Sequence, residues 1–262
     1  MKIRIYGFVY ILTFWSIGAI WGKAVKDGSV SMSSASWYKY SKKLGYSEAR
    51  KPKKKKSKRG SLDTTRPNHT WHMDVSHFKT LDNVKFYIYT VVDNFSRKIV
   101  SHYVSRKLSA HIRVKSLRQA IINEFDVELK NQQLDLIVDG GSENNNHTVG
   151  EFIKNCEISI KKKIALKDVT FSNSIIEGTY RIMKTYYFRK KEIYASNIYE
   201  ELDFFVNDYN YKKPCHKHQF FTPNEVHLKP DVLLSKPIVT NCNQARLDAN
   251  RNYCCKLIGE SS

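Results

Sequence analysis

The pattern of apolar and polar residues predicts three neighbouring strands in the middle of the chain. The segment TWHMDVSHF at 70–78 alternates between the two classes, and KFYIYTVVD at 85–93 is an almost unbroken apolar run. The segment RKIVSHYVS at 97–105 follows after a short connection. Runs of this length that are rich in β-branched and aromatic residues favour strands, and short connections favour antiparallel pairing. We therefore expect an antiparallel meander over these segments.

Farther along the chain, short apolar runs alternate with helical patterns. Two more strands are predicted, LDLIVD at 134–139 and SIKKKIA at 159–165. Helices are predicted at 110–125, around 147–155, and at about 173–190 and 196–210. An order of strands first and alternating elements afterwards predicts an α/β fold in which a mixed sheet is flanked by helices.

The first part of the chain has a helical pattern with turn residues. Gly28 marks a turn, and Ser33 or Ser34 is suited to cap a second helix. Two short helices joined by a glycine-containing turn favour a helix-turn-helix-like segment, whose second helix enters the major groove of DNA. A helical hairpin without DNA contact has the same pattern, so both interpretations stay open.

An uncharged run, IYGFVYILTFWSIGAIW at 5–21, follows Lys2 and Arg4. A basic start before an apolar run is typical of a signal peptide or a short membrane anchor. The run is shorter than the ~20 residues that span a bilayer, and glycine and hydroxyl residues interrupt it. We favour a buried helix of a small DNA-binding domain, and we expect a cytoplasmic protein without a membrane partner.

The charge of the chain changes this picture of an ordinary α/β protein. Lys and Arg total 44 against 25 Asp and Glu, so the formal net charge is +19. Such an excess predicts a polyanionic partner, and nucleic acid is the commonest, because each neutralised phosphate releases counterions. The alternative is a charged, soluble surface with no dedicated partner.

The most basic segment, KPKKKKSKRG at 51–60, has no hydrophobic residue and contains Pro52 and Gly60. Such a segment repels itself and favours an extended linker. We expect its basic side chains to contact DNA phosphates between two domains, although a solvated linker has the same features. The residues concerned are Lys53, Lys54, Lys55, Lys56, Lys58 and Arg59.

The cysteines argue against a disulfide framework. There are five, an odd number without a CxxC pair: Cys156, Cys215, Cys242, Cys254 and Cys255. This usage favours a reduced intracellular compartment. The spacing also matches no zinc-binding pattern.

Three carboxylates stand where elements of the predicted fold could assemble a site. Asp74 lies within the first strand, Asp139 ends the strand LDLIVD, and Glu177 lies in the first turns of the helix NSIIEGTYRIMK. A charged side chain inside an apolar strand is costly unless it is paired or bound to a metal. On an outward face it needs no such explanation, and Asp74 taken alone leaves both interpretations open.

The segments around these carboxylates resemble the integrase-core transposases of bacterial insertion sequences. In order and spacing the similar segments are WHMDVSHF, VVDNFSRKIV, IVDGGSENNN, FSNSIIEGTYRIMK and VNDYNYKKP followed by TPNEV. The resemblance runs from about Thr70 to Leu228, and WYKYSKKLG upstream resembles the helix-turn-helix that precedes the core in this family. The chain departs from the family where Lys213 and Cys215 replace its usual Arg and His.

The resemblance implies an RNase H-like fold with a mixed five-stranded sheet and the acidic triad Asp74, Asp139 and Glu177 as catalytic residues and metal ligands. It implies two Mg²⁺ ions, with Mn²⁺ as a substitute, and no small-molecule cofactor. Two such ions can stabilise both the attacking and the leaving oxygen of phosphodiester cleavage and strand transfer. As a hypothesis, Asp74 bridges the ions, with Asp139 on one and Glu177 on the other.

The function implied is that of an insertion-sequence DNA transposase, which cleaves and joins strands of double-stranded DNA at transposon ends and target. We expect it to form a homo-oligomer on DNA and to associate with the nucleoid. The alternative is a truncated, inactive remnant that binds and occupies transposon ends. The presence of all three carboxylates favours the enzyme.

Cations near the triad are predicted from the helix that carries Glu177. Arg181 and Lys184 follow it at i+4 and i+7, so all three lie on one helix face. We expect the two cations to bind the DNA end, although a Glu-Arg pair on a solvated face has the same spacing. Asp93 is expected to cap the DNFSR hairpin, and His72 to have a structural or DNA-contact role.

These interpretations predict four parts of the chain. The predicted parts are a partial helix-turn-helix-like segment at 1–48, the basic linker at 49–66, the integrase-like core at 67–229 and a C-terminal tail at 230–262.

Overall fold

The structure, a computed structural model, describes residues 14–46, 64–125, 132–140, 147–165, 173–234, 244–248 and 251–252. The chain forms two compact units. The larger lies within residues 56–210, and the smaller combines residues from 1–55 with residues from 211–262.

A single mixed sheet of five strands forms the centre of the larger unit. Its strands are β1 (Thr70–Lys79), β2 (Lys85–Asp93), β3 (Ile99–Ser105), β4 (Gln133–Asp139) and β5 (Ser159–Ala165). They lie in the order β3-β2-β1-β4-β5. The pairs β1-β2 and β2-β3 are antiparallel, whereas β1-β4 and β4-β5 are parallel. The predicted meander and the predicted mixed sheet are both confirmed.

The helices of the larger unit and the second N-terminal helix begin close to the predicted positions. The first N-terminal helix, expected within 5–21, begins at Ile17 among the described residues, and the helix at Pro223–Leu228 was not predicted. The helices are α1 (Ile17–Lys26), α2 (Ser34–Lys43), α3 (Ala110–Glu124), α4 (His147–Lys154), α5 (Ser174–Ile182), α6 (Ile198–Asn207) and α7 (Pro223–Leu228).

Two of these helices end in an unpredicted way. The helix predicted to reach 190 changes after α5 into a π-helical turn at Met183–Tyr187, and α6 runs into a second one at Asp208–Lys212. The Tyr187 hydroxyl donates a 2.6 Å hydrogen bond to the Asp208 carboxylate and joins the two turns. Such turns occur often at functional sites.

Alternation along β1 gives the sheet two different faces. Trp71 and Met73 lie in a buried core with Leu117 and Ala120 of α3. Successive side chains of a strand point to opposite faces. His72 and Asp74 therefore point to the other face, where α5 packs on β1 and β2.

Asp93 caps the hairpin between β2 and β3, as expected. Its buried carboxylate accepts 2.7 Å hydrogen bonds from both the backbone N–H and the hydroxyl of Ser96. It also accepts a 2.9 Å bond from the backbone N–H of Asn68. These hydrogen bonds hold the carboxylate within the hairpin, so this group is a structural one.

In the smaller unit, the predicted pair of N-terminal helices is present. Ser33 caps α2 by accepting a hydrogen bond from the backbone N–H of Ser36 at 3.3 Å. The indole N–H of Trp37, which is fully buried, donates to the carbonyl of Ile17 at 3.0 Å. The two helices therefore pack as a hairpin. Their contact with DNA stays a prediction.

The smaller unit also packs α1 against residues from the end of the chain. Trp21 meets Phe220 edge to face at 5.3 Å between ring centroids. A Cβ at Gly22 would lie 1.9 Å from that ring, so only glycine allows this approach. Lys26 binds Glu225 of α7 at 2.6 Å.

The uncharged run at 5–21 is described only from residue 14 onward. Its last residues form the beginning of α1, where Ile20 and Trp21 are buried. Among the described residues, no helix has the length and apolar character needed to cross a bilayer.

Candidate active site

Two of the predicted triad carboxylates come from neighbouring parallel strands. The register between β1 and β4 pairs Met73 with Val138, and one further step along both strands aligns Asp74 with Asp139. Both carboxylates are half-buried, and Asp139 is the last residue of β4. The ends of adjacent parallel strands are a common position for a site in an α/β fold.

Helix α5 brings the third carboxylate to β1. The Tyr180 hydroxyl donates a 2.7 Å hydrogen bond to the backbone carbonyl of Asp74, and the carbonyl of Ile88 lies 3.2 Å away. Glu177 precedes Tyr180 by three residues and so lies on the same side of the helix. Its side chain is exposed.

The charges of Asp139 and Glu177 both act on Asp74. The pKa of Asp74 is raised to about 6, chiefly because burial disfavours its charged form. Repulsion from Asp139 and Glu177 adds to the rise, while a hydrogen bond from the backbone of Val75 and the charge of Arg113 oppose it. Asp74 therefore shares one electrostatic environment with both other members of the triad.

The donor set suits a hard divalent cation, which prefers carboxylate oxygens. A bound cation would also relieve the repulsion that raises the pKa of Asp74. Within the ranges that the structure describes, however, no group of three or more His, Cys, Asp or Glu side chains is close enough to hold a metal ion. Asp139 and Glu177 thus affect the pKa of Asp74, but the three carboxylates do not form a closed cluster of ligands.

Lys184 belongs to this environment. Burial lowers the pKa of its ammonium, Arg189 lowers it further, and Asp74 opposes the shift. Lys184 lies in the π-helical turn after α5, whereas Arg181 is exposed within α5 itself. The predicted neighbour of the triad is therefore near Asp74, and its contact with DNA stays a prediction, as does that of Arg181.

The sequence pattern did not lead us to predict Arg113 beside the triad. It lies on α3, only 3% exposed, and its charge reaches both Asp74 and Tyr180. The missed signal was its spacing: Arg113, Leu117 and Ala120 follow at i, i+4 and i+7, so the arginine shares the buried face of its helix.

His72 is buried beside Asn173, the N-cap residue of α5, with 3.1 Å between its Nδ1 and the amide oxygen. Burial lowers the pKa of His72 to about 4, and the hydrogen bond to the Asn173 amide oxygen partly opposes this. The imidazole is therefore neutral near pH 7. A structural role was one of the two roles expected for it.

Several residues discussed from the sequence lie outside the described ranges. These are the linker residues Lys53, Lys54, Lys55, Lys56, Lys58 and Arg59, and the cysteines Cys242, Cys254 and Cys255. The two described cysteines, Cys156 and Cys215, are free thiols.

Comparison with known proteins decides what kind of fold surrounds the triad. The family model of the integrase core domain matches residues 64–164. Over these residues the chain is similar to an integrase core domain. The match includes Asp74 and Asp139 and ends before Glu177, so it bears on two of the three carboxylates. The predicted resemblance to integrase-core proteins is confirmed.

Solved structures of viral integrases are similar to this chain. The simian T-cell lymphotropic virus intasome, in complex with PP2A regulatory subunit B56 gamma, matches at a TM-score of 0.55 with 17% identity, over 80% of this chain and 74% of that one. The HTLV-2 integrase catalytic core domain in complex with magnesium matches at 0.48 with 20% identity, over 62% and 97%. The BIV integrase catalytic core matches at a TM-score of 0.47 with 20% identity, over 63% of this chain and 97% of that one.

The match at 0.55 confirms the predicted RNase H-like fold of the integrase core. The match over residues 64–164 supports the predicted resemblance to polynucleotidyl transferases. No curated protein sequence matches the chain.

Proposed function

We propose that the protein is an insertion-sequence transposase that cleaves DNA strands and joins them to a target in a metal-dependent reaction. The observation that carries the proposal is the shared electrostatic environment of Asp74, Asp139 and Glu177 within an integrase core. The order of the motifs around them, which resembles that of insertion-sequence transposases, supports the narrower choice of a transposase.

Asp74, Asp139 and Glu177 would hold divalent cations, Mg²⁺ with Mn²⁺ as a substitute. When bound, such ions activate the attacking hydroxyl and stabilise the leaving oxygen of a phosphodiester. The protein's own residues arrange the site: β1 and β4 set two carboxylates side by side, and Tyr180 fastens the helix of the third one to β1.

Two cations beside the triad would bind the DNA strand that is processed. The charge of Asp74 acts on Lys184, which lies in the π-helical turn after α5. Arg181 is exposed on α5. The formal net charge of +19 supports double-stranded DNA as the partner and association with the nucleoid. The simian virus match comes from an intasome, and we infer a homo-oligomer on DNA here as well.

A strand-cleavage assay tests the proposal. Purified protein, Mg²⁺ or Mn²⁺ and a duplex that carries the element's terminal repeat should yield nicked and joined products. Asp139→Asn should bind the duplex and form no product. The matched control is Asp135→Asn, which changes the same residue type on the same strand, at a carboxylate paired with Lys163.

The outcomes separate the proposal from its alternative. Product from the wild type and from Asp135→Asn, with none from Asp139→Asn, supports the transposase. A wild type that binds the repeat and never cleaves it under either metal identifies a DNA-binding remnant.

A further inference from the structure

The side chain of Asn173 does not cap the helix that it begins. It occupies the N-cap position of α5, where such a side chain ordinarily accepts a hydrogen bond from a backbone N–H of the first turn. No such bond is present. Its amide oxygen lies 3.1 Å from Nδ1 of His72 instead, and both residues are buried.

This hydrogen bond joins β1 and α5, two of the three elements that carry candidate metal ligands. His72 precedes Asp74 by two residues and lies on the same face of β1. Asn173 precedes Glu177 by four residues and lies one turn away on the same side of α5. The link therefore connects the immediate surroundings of both carboxylates.

A second link holds the helix on the other side of Glu177. The Tyr180 hydroxyl donates to the carbonyl of Asp74, so α5 is attached to β1 both before and after the carboxylate. Ile176 is also fully buried in this helix, so packing holds the helix as well. The two hydrogen bonds lie on either side of Glu177 along α5.

Packing alone does not account for this pair. Nε2 of His72 and the amide nitrogen of Asn173 are buried and have no hydrogen-bond partner among the described residues. Buried polar atoms without partners lower stability, whereas two apolar side chains of similar shape would not. A polar pair retained at this cost indicates a role in placing the site.

We propose that His72 and Asn173 are positioning residues, whose hydrogen bond sets the approach of Glu177 to Asp74 and thereby the metal affinity of the acidic site. The neutral imidazole donates from Nδ1, and the amide oxygen of Asn173 accepts. This inference rests on the proposed function, because it assigns the metal to the same three carboxylates.

Metal binding and cleavage, measured on the full chain, test the inference. Mn²⁺ binding is followed by electron paramagnetic resonance of the free ion. The amount that Asp139→Asn still binds is subtracted, so that the difference reports the acidic site alone. His72→Leu should weaken the remaining Mn²⁺ binding about 10-fold and slow strand cleavage about as much, as is typical for the loss of a residue that orients a ligand. The dissociation constant for the duplex should stay unchanged, because DNA contacts are left intact.

Three further variants make the test specific. His72→Gln keeps an N–H that can reach Asn173, and should restore most of the lost Mn²⁺ affinity. The double variant His72→Leu with Asn173→Ala should bind Mn²⁺ no more weakly than the weaker-binding single variant. The reason is that the effects of two residues that act through one contact do not add. The matched control His102→Leu removes a histidine paired with Asp203 and should bind Mn²⁺ like the wild type.

The outcomes distinguish this inference from the proposed function. Wild-type Mn²⁺ affinity in a folded His72→Leu variant, or additive losses in the double variant, overturns the inference and leaves the proposed function intact. A wild type that neither binds Mn²⁺ through Asp139 nor cleaves DNA overturns the proposed function. If His72→Leu shows no cooperative melting, Asn173→Ala decides: a 10-fold loss supports the inference, and wild-type affinity refutes it.

Discussion

The Tyr180 hydroxyl lies 2.7 Å from the backbone carbonyl of Asp74 and donates a hydrogen bond to it. Tyr180 is buried, and the carbonyl of Ile88 lies 3.2 Å from the same hydroxyl. One side chain of α5 therefore holds the helix to β1 and β2 beside the candidate site.

Tyr180→Phe should lower the free energy of unfolding by about 1–3 kcal/mol, because buried carbonyls lose their donor. The measurement is urea denaturation followed by circular dichroism. Tyr194→Phe, at a tyrosine that is 40% exposed, is the control and should unfold like the wild type. Equal stability of all three proteins would contradict a structural role for the Tyr180 hydroxyl.

The hairpin cap offers a second test. Asp93→Ala removes a buried acceptor and leaves the donors of Ser96 and Asn68 without it. The loss should reach about 3 kcal/mol or more, since several charge-assisted hydrogen bonds disappear together. Thermal melting checks this against Asp203→Ala, a change at an exposed carboxylate. A loss no larger than that of Asp203→Ala would show that the cap contributes little.

The cations beside the triad should act on DNA binding. Arg181→Gln and Lys184→Gln should each weaken duplex binding at low salt and reduce the dependence of binding on salt by about one ion, because one phosphate contact is lost. Titrations at several salt concentrations measure this slope. Lys85→Gln removes an exposed cation at the start of β2 and is the matched control. An unchanged slope in Arg181→Gln or Lys184→Gln would argue against that residue's phosphate contact.

The pair formed by Lys26 and Glu225 should make the smaller unit sensitive to acid. Burial by itself raises the pKa of Glu225, but hydrogen bonds from Lys26 and from Thr222 outweigh it and leave the pKa below its ordinary value of 4.5. A lowered pKa in the folded state means that the pair's stabilisation is complete above 4.5 and disappears as the pH falls through the folded-state pKa.

Melting temperatures from pH 7 to pH 3 measure this effect. The wild type should melt above Glu225→Gln at neutral pH, and the difference should shrink as the pH falls below 4.5, because Glu225 then gains a proton and loses its charge. Glutamine keeps an oxygen that can accept from the Thr222 backbone, so the comparison isolates the charge. A difference that does not shrink between pH 7 and pH 3 would show that the charge is not its source.

The local pattern of apolar and polar residues was enough to predict much of the fold. The strands β2 and β5 begin and end where alternation and apolar runs place them, and β1 extends only one residue beyond its prediction. These signals are local, because a strand's period and the turn residues at its ends depend on the nearest neighbours in the chain. The hairpin cap by Asp93 was predictable for the same reason.

The surroundings of the candidate site were less predictable. Asp74, Asp139 and Glu177 could be named from the motifs that contain them. Their common electrostatic environment depends on β1 lying next to β4 and on α5 packing over β1, and both are contacts between distant parts of the chain. Arg113 was missed because a basic residue on a mixed helix is ordinarily assigned to the solvent side.

By itself, the sequence determined the elements, their order and the residue types that suit two-metal chemistry, because these follow from local periodicity and the chemistry of side chains. Only the tertiary structure decided that His72 and Asn173 share a hydrogen bond and that Tyr187 joins the two π-helical turns through Asp208. The reason is physical: burial and long-range contacts set both relationships, and neither leaves a periodic signal in the chain.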